Sequence, residues 1–167
     1  LEAVRLVFAG RISKQKGLDR LPELLGKVNV PVHIRCLGDG EEKQRITDLH
    51  KNLNPIHTFE VLSHVDDVTS HLDWSDAVIM PSRWELNPLV VWEARARGRA
   101  TIGSRIGAFQ DLEKNGPMWL FGDALEFEKI IFTLATQPDV RAKAFDDALE
   151  SSQNLNTRSS IVDYLGS

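Results

Sequence analysis

Short apolar runs alternate with segments of helical periodicity along most of the chain. The first run predicts a buried strand, and the leucines that follow it recur at helical spacing up to Val28. The same order then returns, giving predicted strands at 4–10, 32–38, 56–62, 76–80, 99–104 and 117–121. The predicted helices are 18–28, 41–53, 65–74, 88–97, 124–136, 138 to about 152, and 159–165. Such repeated units predict an α/β, Rossmann-like three-layer sandwich with a parallel sheet of about six strands.

The centre of this pattern is a buried strand, a turn and a helix. Residues 77–80 form a continuous apolar run, which is typical of a strand covered on both faces. Asn87 is a good N-cap for the helix that follows, and Pro88 fits its first position because proline has no amide to leave unpaired. The amides of residues 89–91 should then point out beside the carboxyl end of a central strand. Open α/β sheets bind anions and nucleotides at this place.

Two carboxylates flank this helix start, Glu85 on the turn and Glu93 on the helix, with seven residues between them. A bound phosphate would repel both unless each faces an uncharged part of the same ligand. Sugar hydroxyls meet that need, because a carboxylate accepts hydrogen bonds from a vicinal diol with both oxygens. We therefore expect Glu93 to hold a ribose and Glu85 to reach another sugar. The diphosphate between them would lie at the amides of Leu89 and Val90.

The turn after the first strand supplies positive charge. It reads Gly-Arg-Ile-Ser-Lys-Gln-Lys-Gly, so Arg11 and Lys16 should emerge at the same sheet edge as Glu85. Gly10 lets the backbone come close to a ligand. Arg11 can grip a diphosphate through two parallel N–H bonds, while Lys16 acts as a compact point charge. Lys14, the remaining cation of the turn, is expected to be solvated.

Composition narrows the class of protein. A chain of 167 residues suits a single domain, and 42% hydrophobic with 26% charged residues is ordinary for a globular protein. The net charge of −4 argues against a general nucleic-acid binder. Cys36, the single cysteine, lies in an apolar strand pattern, which favours a packed thiol in a reducing cytoplasm. We expect neither a signal peptide nor a membrane span, and the start on a strand without Met suggests a fragment of a longer protein.

Both motifs resemble those of one enzyme family. The pattern Pro-Ser-x-x-Glu-x-x-Pro-Leu-Val-Val-x-Glu-Ala, from Pro81 to Ala94, resembles the Glu-x7-Glu signature of retaining nucleotide-sugar glycosyltransferases of family GT4, which have the two-domain GT-B architecture. The first turn is similar to the Gly-Arg-x4-Lys-Gly turn of the same enzymes, whose Arg and Lys bind the donor diphosphate. The resemblance runs from Val4 to about Thr136. It implies the C-terminal, donor-binding half of such an enzyme, without its N-terminal acceptor domain.

The resemblance implies sugar transfer from a nucleoside diphosphate sugar with retention of configuration, without a cofactor or a metal. It makes Glu85 the catalytic residue, which orients the donor sugar. The implied donor-binding residues are Gly10, Arg11, Lys16, Asn87, Leu89, Val90 and Glu93. The acceptor stays open among carbohydrate, lipid and protein, and peripheral membrane association of a full-length cytoplasmic enzyme is compatible with this function. The isolated chain should bind donor weakly and should not turn over.

Departures from the family pattern leave the nucleobase and the sugar open. Val61 stands where the family usually has a glycine. The sequence Gly107-Ala108 replaces a common Gly-Gly, and Asp111 follows in place of a glutamate. Two other functions also stay open: a non-catalytic nucleotide-sugar-binding or interaction module on the same fold, and half of a nucleotide-sugar 2-epimerase.

Two further signals are weak. Residues His64, Asp66, Asp67 and His71 could suggest a metal site, but Asp66 and Asp67 are better explained as acids at a helix start, where the dipole favours them. The turn at 38–40, Gly-Asp-Gly, lacks the third glycine of a dinucleotide fingerprint. We interpret it as a tight turn without a ligand.

Overall fold

Six parallel strands form one sheet in the computed structural model, which describes residues 1–157 and their side chains up to residue 154. The strands are β1 (Val4–Ala9), β2 (Val32–Leu37), β3 (Thr58–Leu62), β4 (Ala77–Met80), β5 (Ala100–Ser104) and β6 (Met118–Phe121). The helices are α1 (Leu21–Leu25), α2 (Lys43–His50), α3 (Val68–Trp74), α4 (Leu89–Ala96), α5 (Gly107–Glu113), α6 (Ala124–Thr136) and α7 (Pro138–Thr157). The predicted α/β Rossmann-like fold is therefore confirmed. The helix predicted at 159–165 lies outside the described residues.

The order of the strands in the sheet is β3-β2-β1-β4-β5-β6. Strand β1 pairs with β2 on one side, where Val4 lies opposite Val32, and with β4 on the other, where Leu6 lies opposite Ala77. The chain therefore leaves β1 toward one edge of the sheet and leaves β4 toward the other. Open α/β sheets have a crevice at such a reversal, outside the carboxyl ends of the two strands.

Alternating side chains of the central strands build a hydrophobic layer on each face of the sheet. Leu6 and Phe8 of β1 pack in the layer that includes α1 and α6, whereas Val7 packs in the layer that includes α3, α4 and α5. Successive strand side chains point to opposite faces, so a strand covered on both faces needs apolar residues at every position. All four residues of β4 are buried, as its continuous apolar run predicted.

Two helical segments differ from the sequence prediction. The segment after β5 is not among the helices predicted from the sequence but forms α5, whose start has no side-chain cap. Packing of Phe109 and Leu112, both buried and three positions apart, holds this helix in place of a cap. The segment 18–28 is not one helix either: a 3-10 turn precedes α1, because Pro22 has no N–H to donate to the Leu18 carbonyl.

Helix α7 lies against the amino ends of the central strands. A Cβ at Gly98, just before β5, would meet the Phe145 ring of α7. The Ser151 hydroxyl of α7 donates to the Asn115 carbonyl, 2.6 Å away, shortly before β6. None of the described helices has the length and apolar character needed to cross a membrane.

The loop after β1 (the first loop, 10–17) packs closely against the loop after β4 (the second loop, 81–88). Gly17 has a φ of 72°, and a Cβ there would lie 2.0 Å from the Pro81 carbonyl oxygen. Nearby, the Arg83 N–H donates to the Gln15 carbonyl at 2.7 Å. L-residues rarely adopt this φ, and the Pro81 carbonyl leaves no room for a side chain, so this contact requires glycine.

We expect Gly17→Ala to lower the free energy of unfolding by about 2 kcal/mol or more, because the new methyl group meets backbone and the backbone conformation is strained. The matched control is Gly107→Ala at the start of α5, where a Cβ would meet nothing within 4 Å. This control should be neutral or should stabilise by roughly 0.5–1 kcal/mol, since alanine has the higher helix propensity. Urea denaturation of the three proteins measures both changes. Equal effects at the two positions would contradict the loop contact.

Candidate functional site

The two loops meet where the sheet reverses direction. The Gln15 side-chain amide donates to the Trp84 carbonyl at 3.0 Å, and the Arg20 guanidinium donates to the Pro81 carbonyl at 3.0 Å. Arg20 also donates to the hydroxyl of Ser104, the last residue of β5, at 3.1 Å. Because these bonds join segments far apart in sequence, they fix the carboxyl ends of β1, β4 and β5 relative to one another.

A bidentate ion pair joins the second loop to residues 18–20, which follow the first loop. The two terminal nitrogens of Arg83 each lie 2.8 Å from a different carboxylate oxygen of Asp19, and one of them also donates to the Lys14 carbonyl. Hydrogen bonds from Arg83 lower the pKa of the Asp19 carboxyl. Such two-bond pairs are geometrically specific. Sequence reasoning missed this pair, since neither residue belongs to a hydrophobic pattern.

Lys16 and Glu85 form the central contact of the site. The Lys16 ammonium nitrogen lies 2.7 Å from Glu85 Oε1, which also accepts a hydrogen bond from the Ser82 hydroxyl at 2.9 Å. The side chains of Lys16 and Glu85 are only 18% and 4% exposed. The structure thus brings together two of the predicted site residues from different loops, and it adds Ser82 beside them.

Arg11 lies on the β2 side of the first loop and pairs with Glu41. The nitrogen–oxygen distance is 2.7 Å, and both side chains are more than half exposed, at 67% and 57%. A hydrogen bond from its own backbone amide, together with the Arg11 guanidinium, lowers the pKa of the Glu41 carboxyl. The two predicted cations therefore stand at the same sheet edge, each beside a carboxylate.

Gly38 permits the turn after β2 to pass close to Gly10 of the first loop. A Cβ at Gly38 would lie 1.9 Å from the Gly10 carbonyl oxygen, and the Ile12 N–H donates to the Asp39 carbonyl at 2.8 Å. A Cβ at Gly10 itself would meet the Phe8 ring at 3.5 Å, an ordinary contact distance. The tight turn at 38–40 thus serves to pack two loops together.

The start of α4 differs from the prediction. The helix begins at Leu89, and Pro88, with ψ of 86°, is the last non-helical residue, so it takes the N-cap position in place of Asn87. No side-chain cap is made there, which corrects the expected role of Asn87. The Val91 amide, expected to point outward, donates to the Pro88 carbonyl at 3.0 Å. Leu89 and Val90 remain the helix-start residues whose amides no helix can satisfy internally.

Glu93 lies on the exposed side of α4, just over one turn from the first residue of the helix. Its neighbours Val91 and Ala94 are buried, so the carboxylate is on the face opposite the core. Within residues 1–154, no hydrogen bond or ion pair joins the Glu93 side chain to Lys16 or Glu85, which pair with each other. The structure leaves this carboxylate open to solvent, while Glu85 is largely enclosed.

The other candidate residues have different partners. Asp67 caps α3 by accepting a hydrogen bond from the Thr69 amide at 2.9 Å, as expected for an acid at a helix start. The His71 ring nitrogen lies 3.5 Å from the Arg35 guanidinium. Across the described part of the chain, no group of three or more metal-ligating side chains is found. Trp84 is 54% exposed at the mouth of the site.

The comparisons with known proteins point to one family. The family model described as glycosyl transferases group 1 matches residues 3–137. The lipopolysaccharide core biosynthesis glycosyltransferase LpsE of Rhizobium meliloti is 26% identical, over 97% of this chain and 48% of its own length. An uncharacterised glycosyltransferase of Haemophilus influenzae is 25% identical, over 99% of this chain and 49% of its own. The chain therefore spans about half the length of these relatives.

A solved structure shares the fold over nearly the whole chain. The structure of Anabaena HepE in complex with UDP and glucose superposes with a TM-score of 0.79 at 21% identity, covering 97% of this chain and 48% of that one. The catalytic domain of the cholesterol-alpha-glucosyltransferase of Helicobacter pylori superposes with a TM-score of 0.77 at 14% identity, covering 91% and 98%. At these identities the likeness establishes the fold, which is that of GT-B glycosyltransferases.

The Lys16–Glu85 pair should show a strong energetic coupling in a double-mutant cycle. We expect Lys16→Met, Glu85→Gln and the double variant to give a coupling of about 1–3 kcal/mol, because each single change leaves a largely buried polar partner unsatisfied. Urea denaturation supplies the four stabilities. The exposed pair Asp111–Lys114 is the control and should show coupling within experimental error. Similar coupling in both cycles would show that the enclosure of the first pair has no energetic effect.

Proposed function

The chain belongs to the glycosyl transferases group 1 family, and we propose that it is the donor-binding domain of a retaining GT4 glycosyltransferase that uses a nucleoside diphosphate sugar. The observation that carries this proposal is the contact between Lys16 and Glu85 at the reversal point of the sheet. This contact supports the proposal, because one ligand that reached both side chains would meet a cation suited to a phosphate and a carboxylate suited to sugar hydroxyls.

On this proposal, the two cations change partners when a diphosphate binds. In the structure Arg11 pairs with Glu41 and Lys16 with Glu85. A diphosphate offers both cations a stronger, multiply charged acceptor, and the amides of Leu89 and Val90 add donors at the positive end of α4. Glu85, released from Lys16, can then accept hydrogen bonds from the donor sugar.

The groups that bind the diphosphate would also stabilise the charge that develops during sugar transfer. When the bond from the sugar to the diphosphate breaks, negative charge builds on the leaving diphosphate. We propose that Arg11, Lys16 and the α4 amides stabilise that charge, and fixed donors of this kind are worth about 3–4 kcal/mol each in other enzymes. Glu85 would orient the sugar and stabilise positive charge developing at its reacting carbon. Transfer with retention is part of this proposal.

The acceptor-binding part of the proposed enzyme is not assigned to this chain. Because the chain spans about half the length of its relatives, we propose that a preceding domain binds the acceptor and completes a cytoplasmic enzyme. The acceptor's chemistry stays open. UDP is the best first probe of the donor site, because similar folds have been solved with UDP and with UDP-glucose.

We expect the chain to bind UDP weakly in calorimetry, and we expect Arg11→Ala and Lys16→Ala each to weaken binding by about tenfold, since each removes one charged contact to the diphosphate. Lys14→Ala is the matched control, because it removes the same charge as Lys16→Ala from an exposed position of the same loop. Lys14→Ala should leave the affinity unchanged.

Absence of UDP, GDP and ADP binding by the unmodified chain would contradict the proposal and favour a non-catalytic interaction module. Equal losses in all three variants would also contradict it, since binding would then depend on general charge and not on the two placed cations.

The ribose contact proposed for Glu93 has a separate test. Glu93→Gln should weaken UDP binding by roughly three- to tenfold, because an amide offers only one acceptor oxygen to the ribose diol. Pyrophosphate has no ribose, so its affinity should not change. Calorimetry with both ligands gives the comparison. An equal change for UDP and pyrophosphate would show that Glu93 acts on the diphosphate through its charge.

A further inference from the structure

A polar cavity lies at the edge of the sheet opposite the candidate donor site. Its volume is about 240 Å³, and its lining residues include Arg5, Asp76, Arg99, Arg141 and Phe145. Arg5 is near the start of β1, while Asp76 and Arg99 immediately precede β4 and β5. These are the amino ends of the parallel strands, whereas Lys16 and Glu85 lie at the carboxyl ends.

Positive charge exceeds negative charge around this cavity. Three arginines line it, and Asp76 is the one acidic residue among its lining residues. Asp76 is already engaged, because it accepts a hydrogen bond from the Arg5 amide at 2.8 Å and lies 3.7 Å from the Arg5 guanidinium. The excess is notable in a chain whose net charge is −4.

Arg99 is held rigidly at the cavity wall. Its guanidinium donates to the Leu72 carbonyl at 3.0 Å and to the Asp73 carbonyl at 2.8 Å, and it lies over the Phe145 ring. Burial lowers the pKa of Arg99, and the nearby carboxylates of Asp73 and Asp76 oppose this effect. A guanidinium fixed by carbonyls and an aromatic ring keeps its full charge but has no carboxylate bonded to it.

Arg141 brings the third guanidinium from α7. Across the described side chains and backbone, no hydrogen bond or ion pair engages that guanidinium, although the side chain is only partly exposed. Lys143, two residues further along α7, instead pairs with Asp147 at 2.6 Å. Of these two cations of α7, Lys143 is paired with a carboxylate, whereas Arg141 is not and lines the cavity.

We infer that this cavity binds a phosphate group between Arg5, Arg99 and Arg141. Guanidinium groups bind phosphate through pairs of N–H bonds, and three of them around one cavity match its tetrahedral oxygens. The volume also leaves room for bridging waters, each of which takes roughly 30 Å³. The phosphate group could belong to a soluble phosphate compound or to a lipid headgroup. This site is independent of the proposed donor site.

Titration with inorganic phosphate, followed by NMR of backbone amides at constant ionic strength, tests the inference. The amides of Asp76, Gly98 and Arg99 report on this cavity, and those of Gly10 and Arg11 report separately on the donor site. We expect saturable shifts at the first set with a dissociation constant in roughly the millimolar range. Arg141→Ala should raise that constant at least about threefold, as should Arg5→Met, whereas the control Lys143→Ala should not.

Cosedimentation with phosphatidylcholine vesicles, with and without phosphatidic acid, distinguishes the two sources. Binding that needs phosphatidic acid and is lost in Arg141→Ala identifies a lipid headgroup. Saturable inorganic phosphate binding without vesicle binding identifies a soluble phosphate compound. The inference is overturned if phosphate shifts at Asp76, Gly98 and Arg99 do not saturate, if chloride reproduces them, or if Arg141→Ala leaves them unchanged.

Discussion

The close approach of the loops after β1 and β4 is the constraint on which the candidate donor site depends. Gly17 permits a backbone contact with Pro81 that any side chain would block, and Arg83 fixes the same two segments through Asp19. Once the loops are packed in this way, Lys16 and Glu85 are enclosed together. A buried charge without a counter-charge costs several kcal/mol, so the two side chains must pair. The ion pair is therefore a consequence of the loop packing.

The two cations of the first loop differ in how readily they can exchange partners. Arg11 and Glu41 are both exposed, and exposed pairs contribute little because water competes for each charge. Arg11 can therefore turn to a ligand at little cost. Lys16 can leave the enclosed Glu85 only if other groups satisfy that carboxylate. On the proposed function, the hydroxyls of the donor sugar do so, which makes release of Lys16 depend on a complete donor and links the diphosphate contact to the sugar contact.

The sequence predicted the parts of this structure that follow from periodicity and chain direction. Apolar runs placed the strands, and parallel strands necessarily bring Lys16 and Glu85 to one sheet edge. It did not predict the start of α4, because the backbone angles of Pro88, and not the capping preference of Asn87, decide where the helix begins. It also missed α5, whose only signal is the spacing of Phe109 and Leu112. The Arg83–Asp19 pair could not be found, since pairing between charges that are distant in sequence leaves no pattern along the chain.

The two edges of the sheet use arginine in different ways. At the carboxyl edge, Arg11 lies in a motif within the part of the chain that the family model matches. At the amino edge, the third guanidinium comes from Arg141, which lies on α7 beyond the matched residues 3–137. A cavity closed by a helix outside the family match can vary without disturbing the donor site, because the two share no loop. The two sites therefore depend on different loops of the same sheet.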